Sequence, residues 1–141
     1  MAVRDYFQGD QQAGVTPPDL SKRCALHDHI VNARGKKTAH TSVSLNRRAI
    51  ARFGECDYLL LRDKLDADKH EFTEHEDLLL RLTEVARSET KSERTKALKA
   101  IQLARRNEEG IVTWVFDTTS VDPKDRITWA ASRIQPYFRR I

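Results

Sequence analysis

The chain has 141 residues, 39% of them hydrophobic and 33% charged, with 25 Lys and Arg set against 21 Asp and Glu for a formal charge of +4. That length supplies one domain with a single core, and no apolar run reaches the roughly 18 residues that a membrane-spanning helix requires. The N-terminus MAVRDYFQGD is too charged for a secretory h-region and two cysteines, Cys24 and Cys56, are too few for a disulfide framework, so cytosol or nucleus is the expected address.

Residues 1 to 18 include Pro17-Pro18 and show little periodicity, which predicts an irregular arm, with a short strand at Ala2 to Phe7 as the alternative; a single globular domain is expected over 19 to 141. From an N-cap at Asp19, the spacing of Leu20, Cys24, His27 and Val31 predicts a helix that Gly35 ends. Ala39 to Leu45 alternate, with His40, Ser42 and Ser44 on one face, and predict a half-buried strand. Asn46 then caps a short helix whose inward residues are Ala49, Ile50 and Phe53, with Gly54 turning left-handed at its end.

Tyr58 to Leu61 is apolar on both faces, the pattern of an interior strand, and Asp63 to Lys69 reads as a turn. Thr73-Glu74-His75-Glu76 has the form of a capping box opening a helix through Leu78, Leu79, Leu82 and Val85. Thr90 to Asn107 is a helix by propensity, with Ala97, Leu98, Ile101 and Ala104 as its inner stripe. Ile111 to Phe116 predicts a central strand that shares one sheet with 39 to 45 and 58 to 62 and buries Trp114 and Phe116. Asp122 and Pro123 open a last helix with the stripe Ile127, Ala131, Ile134 and Phe138, kinked or ended at Pro136. The fold class is therefore α+β, a small mixed sheet flanked by several helices.

The segment SVSLNRRAIARF, Ser42 to Phe53, resembles the Ser-Thr-Ser strand and following helix of ADP-ribosyltransferases of the toxin type, with Val43 where the middle threonine usually stands. The resemblance implies NAD as cofactor and a macromolecular target for the ADP-ribose. It implies cofactor-binding roles for Ser42 and Ser44, beside His40, and for a first-strand arginine, for which Arg4 is the candidate. It also implies a catalytic glutamate directly before a later strand, which selects Glu109 and Glu108 ahead of Ile111. An upstream helical histidine, His27 or His29, fits toxin-like members. The chemistry agrees with these residue types, because a carboxylate stabilises positive charge developing on a ribose and small hydroxyl side chains leave room for a dinucleotide.

Other readings compete for the same residues. His40, Lys37, Ser42 and Arg47 supply the acid/base, cation and hydroxyl of a metal-independent ribonuclease. Cys24, His27 and His29 lie close in sequence, but His29 points away from the helical face that Cys24 and His27 share, and no metal site is expected. Lys91, Arg94, Lys96, Lys99, Arg105 and Arg106, with Arg133, Arg139 and Arg140, would serve a basic module that binds nucleic acid or a protein partner, although glutamates interrupt the first group.

Overall fold

The strands expected at 39 to 45 and 111 to 116 are His40–Ser44 (β2) and Glu109–Thr113 (β5). β5 thus begins at Glu109 and ends before Trp114, which is buried, and Phe116, which is only half-buried. The two strands lie side by side in antiparallel register, with Ser44 opposite Glu109 and His40 opposite Thr113. The computed structural model describes residues 4–32 and 37–141. The remaining elements are β1 (Phe7–Asp10), α1 (Leu26–Val31), α2 (Arg47–Ile50), β3 (Cys56–Leu60), α3 (Arg62–Ala67), β4 (Glu71–Thr73), α4 (His75–Val85), α5 (Lys91–Asn107), α6 (Arg126–Ile134) and β6 (Phe138–Arg140). Among the described residues six strands form one sheet in the order β4-β5-β2-β1-β3-β6.

Each of its pairings is antiparallel, so the α+β class holds while the sheet is antiparallel rather than mixed. On one face Ile111 packs with Ile30 of α1, Leu78 and Leu82 of α4, and Ala100 and Ala104 of α5. On the other, Val43, Tyr58, Val112 and Trp114 pack with Leu65 of α3 and with Ala130 and Ile134 of α6. This two-sided cover buries all five residues of β5, the polar Glu109 and Thr113 at its ends as well as Ile111 and Val112 between them. No helix among the described residues is long and apolar enough to cross a membrane.

Several elements differ from their sequence expectations for identifiable reasons. The arm expected to be irregular contributes β1, which is hydrogen-bonded to β3 along its whole length; Ala2 and Val3 of the alternative strand lie outside the described residues. Asp19 holds a local turn by accepting from the Ser21 N–H and hydroxyl, and α1 starts only at Leu26; its expected stop at Gly35 also lies outside the described residues. Asp63 to Lys69 is mostly the helix α3, and Thr73 caps no helix because it is the last residue of β4, paired with Ile111. On α5 the buried stripe is Ala97, Ala100 and Ala104, which leaves Leu98 exposed, and on α6 Ile127 is exposed. Phe138 belongs to β6, since Pro136 sits in a 3-10 turn that ends the helix and turns the chain into a strand beside β3.

The segment after β2 matters most for the site. Asn46 caps α2 as expected, its side chain accepting the Arg48 N–H, and Ile50 is buried, but Phe53 is exposed. Gly54 is extended at φ 164° and ψ 174°, so the need for glycine is one of space: a Cβ there would lie 2.3 Å from the Asp10 carbonyl oxygen. Backbone cannot yield as a side-chain tip does. Gly54→Ala is accordingly expected to cost about 2 kcal/mol, in the range of overpacked cores, seen as a lower urea midpoint with an unchanged slope; a midpoint equal to that of the parent would refute the close contact.

Candidate functional site

β1 and β2 share a single residue pair, Phe7 with Ser44, and diverge beyond it. Their divergence opens a cleft of about 910 Å³ between Gly9 and Asp10 on one side and residues 40 to 44 on the other. Glu109 lies on its wall, His29 and Ile30 of α1 and Leu103 of α5 line it, and Lys37, Arg52, Lys99 and Arg106 stand around it. That volume is of the class that holds a cofactor-sized ligand.

The register explains which side chains meet. Alternation along β2 sends His40, Ser42 and Ser44 to one face, and the antiparallel pairing sends Glu109, Ile111 and Thr113 to the same face. Glu108 has φ 45°, the left-handed close of α5, and this reversal separates the adjacent glutamates. Glu109 turns into the cleft wall, whereas Glu108 turns outward, where it accepts at 3.4 Å from Asn46 Nδ2. Glu108 thus has no place in the cleft. Arg4 lies outside it too, half exposed and paired with Glu76.

Ser44 is almost fully buried, and its hydroxyl is committed to the Asn107 carbonyl while its oxygen accepts the Asn46 N–H at 2.9 Å. It therefore fixes the turn that delivers Glu109 rather than facing a ligand. His40 is buried, with Nε2 donating to the Cys24 carbonyl at 2.8 Å and Nδ1 2.8 Å from the Thr113 hydroxyl. Ser42 is only half-buried and is hydrogen-bonded at 2.9 Å to Nε2 of His29, whose Nδ1 is 2.6 Å from the Thr38 hydroxyl.

Burial pushes the Glu109 carboxyl up to about 7, against an opposing pull from the Ser42 hydroxyl. The hydrogen bond of the Ser42 side chain among the described residues goes to His29, and Oε2 of Glu109 is buried with no partner among them. Burial, reinforced by neighbouring His40, pushes His29 down to about 4 and keeps it neutral. A carboxylate with a free buried oxygen, close to its own pKa at neutral pH, is an arrangement met at functional sites.

The four cations around the cleft make no ion pair among the described residues, though Arg52 donates to Asn107 Oδ1 at 2.5 Å. The sequence signal for two of them is the spacing of Lys99, Leu103 and Arg106 on α5, a stripe beside the buried alanines that composition alone assigns to solvent.

The other sequence candidates separate. His27 reaches Glu93 at 2.5 Å and His29 faces Ser42, so these histidines and Cys24 do not converge, and no group of three such residues does so among the described residues. Arg47 pairs with Asp57 at 2.8 Å. Lys96 pairs with Asp28, Arg94 donates to the Ser88 and Glu89 carbonyls, and Arg133 lies over the Trp129 ring. Compared with models of known families, with curated proteins and with solved structures, the chain finds no match.

Proposed function

We propose that this chain is an ADP-ribosyltransferase-like domain that binds NAD in the cleft between β1 and β2 and passes ADP-ribose to a macromolecular acceptor. The observation that carries this reading is the convergence of Ser42 and Glu109 on one cleft wall, with Lys37, Arg52, Lys99 and Arg106 around it. The residues fit the dinucleotide: four cations without an ion pair among the described residues match a pyrophosphate, and the Glu109 carboxyl on the cleft wall matches a ribose hydroxyl. NAD would supply the ADP-ribosyl group, with positive charge developing at the ribose carbon as nicotinamide leaves.

The ionised Glu109 carboxylate would stabilise that charge. Low dielectric strengthens its effect, and the fixed β5 register spares the reorganisation that a carboxylate on a loop would need. Ser42 orients the carboxylate, and Ser44 holds the turn behind it. The ribonuclease reading is weaker because Arg47 is engaged with Asp57 and both ring nitrogens of His40 are engaged within the fold. The polyanion-module reading is weaker because its basic residues are dispersed, with Arg139 and Arg140 on the edge strand β6, far down the sheet order from β5.

Calorimetry with millimolar NAD is expected to show binding that weakens with salt, and Arg106→Glu is expected to weaken it at least tenfold, about 1.4 kcal/mol or more. No heat at millimolar NAD, or binding indifferent to both salt and Arg106→Glu, would refute the site.

A further inference from the structure

Ser42 has one proton and stands between His29, 2.9 Å away, and Glu109, which the β2–β5 register places on the same face and on the wall of the same cleft. An ionised carboxylate can only accept, whereas a neutral imidazole donates from one nitrogen and accepts at the other. On the far side of His29, the Thr38 oxygen already accepts the His40 N–H at 3.1 Å, leaving its own proton free to go to His29 Nδ1 at 2.6 Å. Donation then runs one way: Thr38 hydroxyl to His29 Nδ1, His29 Nε2–H to Ser42 Oγ, and Ser42 hydroxyl toward Glu109.

We propose that His29 is a positioning residue, whose Nε2–H holds the Ser42 oxygen so that the single serine proton is directed at the Glu109 carboxylate. His29 touches no reacting atom in this scheme; it acts through Ser42. The proposal deepens the transferase reading, but its geometry stands apart from whether NAD is the ligand. Around this line of donors the charged and titratable groups are His40 on β2, Asp10 on β1, Arg52 after α2, Lys99 and Arg106 on α5, and Lys37 before β2. The His75 ring of α4 meets the Glu109 main-chain carbonyl, at 2.9 Å, rather than its carboxyl, and Cys24, beside Thr38, has its thiol pushed up by burial and so stays protonated. His29 is the only one of these groups with a hydrogen bond to the Ser42 side chain among the described residues.

Two measurements on the intact chain test this. Long-range nitrogen–proton NMR at pH 8.5 is expected to find His29 neutral with its proton on Nε2. Carbon NMR of the Glu109 carboxyl is expected to show its midpoint rising by about one pH unit in His29→Leu, through loss of a hydrogen bond to the charged form. In His29→Gln, which keeps an N–H donor, the midpoint stays near that of the parent. In NAD turnover, His29→Leu is expected to lower kcat about tenfold with KM nearly unchanged and His29→Gln to recover most of it, the split expected when a transition-state interaction is lost. A proton found on Nδ1 at pH 8.5, or equal Glu109 midpoints in the parent and the leucine variant, would overturn the assignment; so would a glutamine variant no closer to the parent than leucine. Should the leucine variant fail to fold, the tautomer and the glutamine midpoint still decide. A parent without NAD turnover would sink the transferase reading and leave both NMR results standing.

Discussion

Glu109→Gln is expected to reduce NAD turnover about a hundredfold, close to 3 kcal/mol of transition-state stabilisation, while NAD affinity changes little. Glutamine keeps the shape of the side chain, its place opposite Ser44 and one oxygen for a ribose hydroxyl, but it removes the negative charge. That charge has most to act on when the glycosidic bond is partly broken, so kcat falls with little change in binding. Glu108→Gln, outside the cleft, is expected to leave turnover within a factor of two or so. Because the Glu109 carboxyl is pushed up to about 7, turnover of the parent should rise with pH through that value as the charged form accumulates. Single-turnover kinetics with labelled NAD across pH 5 to 9 would read all three results. A glutamine variant as fast as the parent would remove Glu109 from the chemistry.

The same substitution should make the protein more stable above neutral pH, and the size of that effect follows from linkage. Folding raises Glu109 from its ordinary 4.5 to about 7, so over that window the folded chain keeps a proton that the unfolded chain releases. Stability therefore falls as pH rises through the window, by about 3 kcal/mol for a shift of this size. His29 has the opposite sign. Its value drops from the ordinary 6.5 to about 4, so the unfolded chain takes up a proton on acidification that the folded chain refuses, and stability is lost as pH falls, again by about 3 kcal/mol.

Between pH 4.5 and 6.5 the two slopes cancel, and the parent should show a flat stability profile there. Glu109→Gln unmasks His29: the variant gains stability steadily from pH 4 to 6.5 and exceeds the parent by about 3 kcal/mol at pH 8. Urea denaturation at pH 4.5, 6.5 and 8 measures this directly. Parallel profiles for parent and variant would mean that Glu109 is not held protonated in the fold.

The residues alone determined the α+β class and the helices α4, α5 and α6. They also determined strands near β2, β3 and β5 and the Asn46 cap, while the candidacy of Ser42 and Glu109 came from a family resemblance. These features are written locally: a helix satisfies its backbone within its own segment, and a strand covered on both faces carries apolar residues in both directions, as Ile111 and Val112 do. Only the tertiary structure decided β1, β4 and β6. Strands of three or four residues carry too little pattern, and their hydrogen bonds exist only with a partner strand, as for Thr73 with Ile111 and Phe138 with Leu60.

The separation of Glu108 from Glu109 was likewise invisible in sequence, because it depends on one left-handed backbone conformation at the close of α5. So was the exclusion of Arg4, whose partner Glu76 is 72 residues away. The cleft itself arises where β1 and β2 part after one shared pair, and His29 joins it because α1 packs against α5 above that opening. Contacts between distant segments set each of these outcomes. Sequence spacing encodes which faces are apolar, while the meeting of one such face with another is fixed only when the whole chain packs.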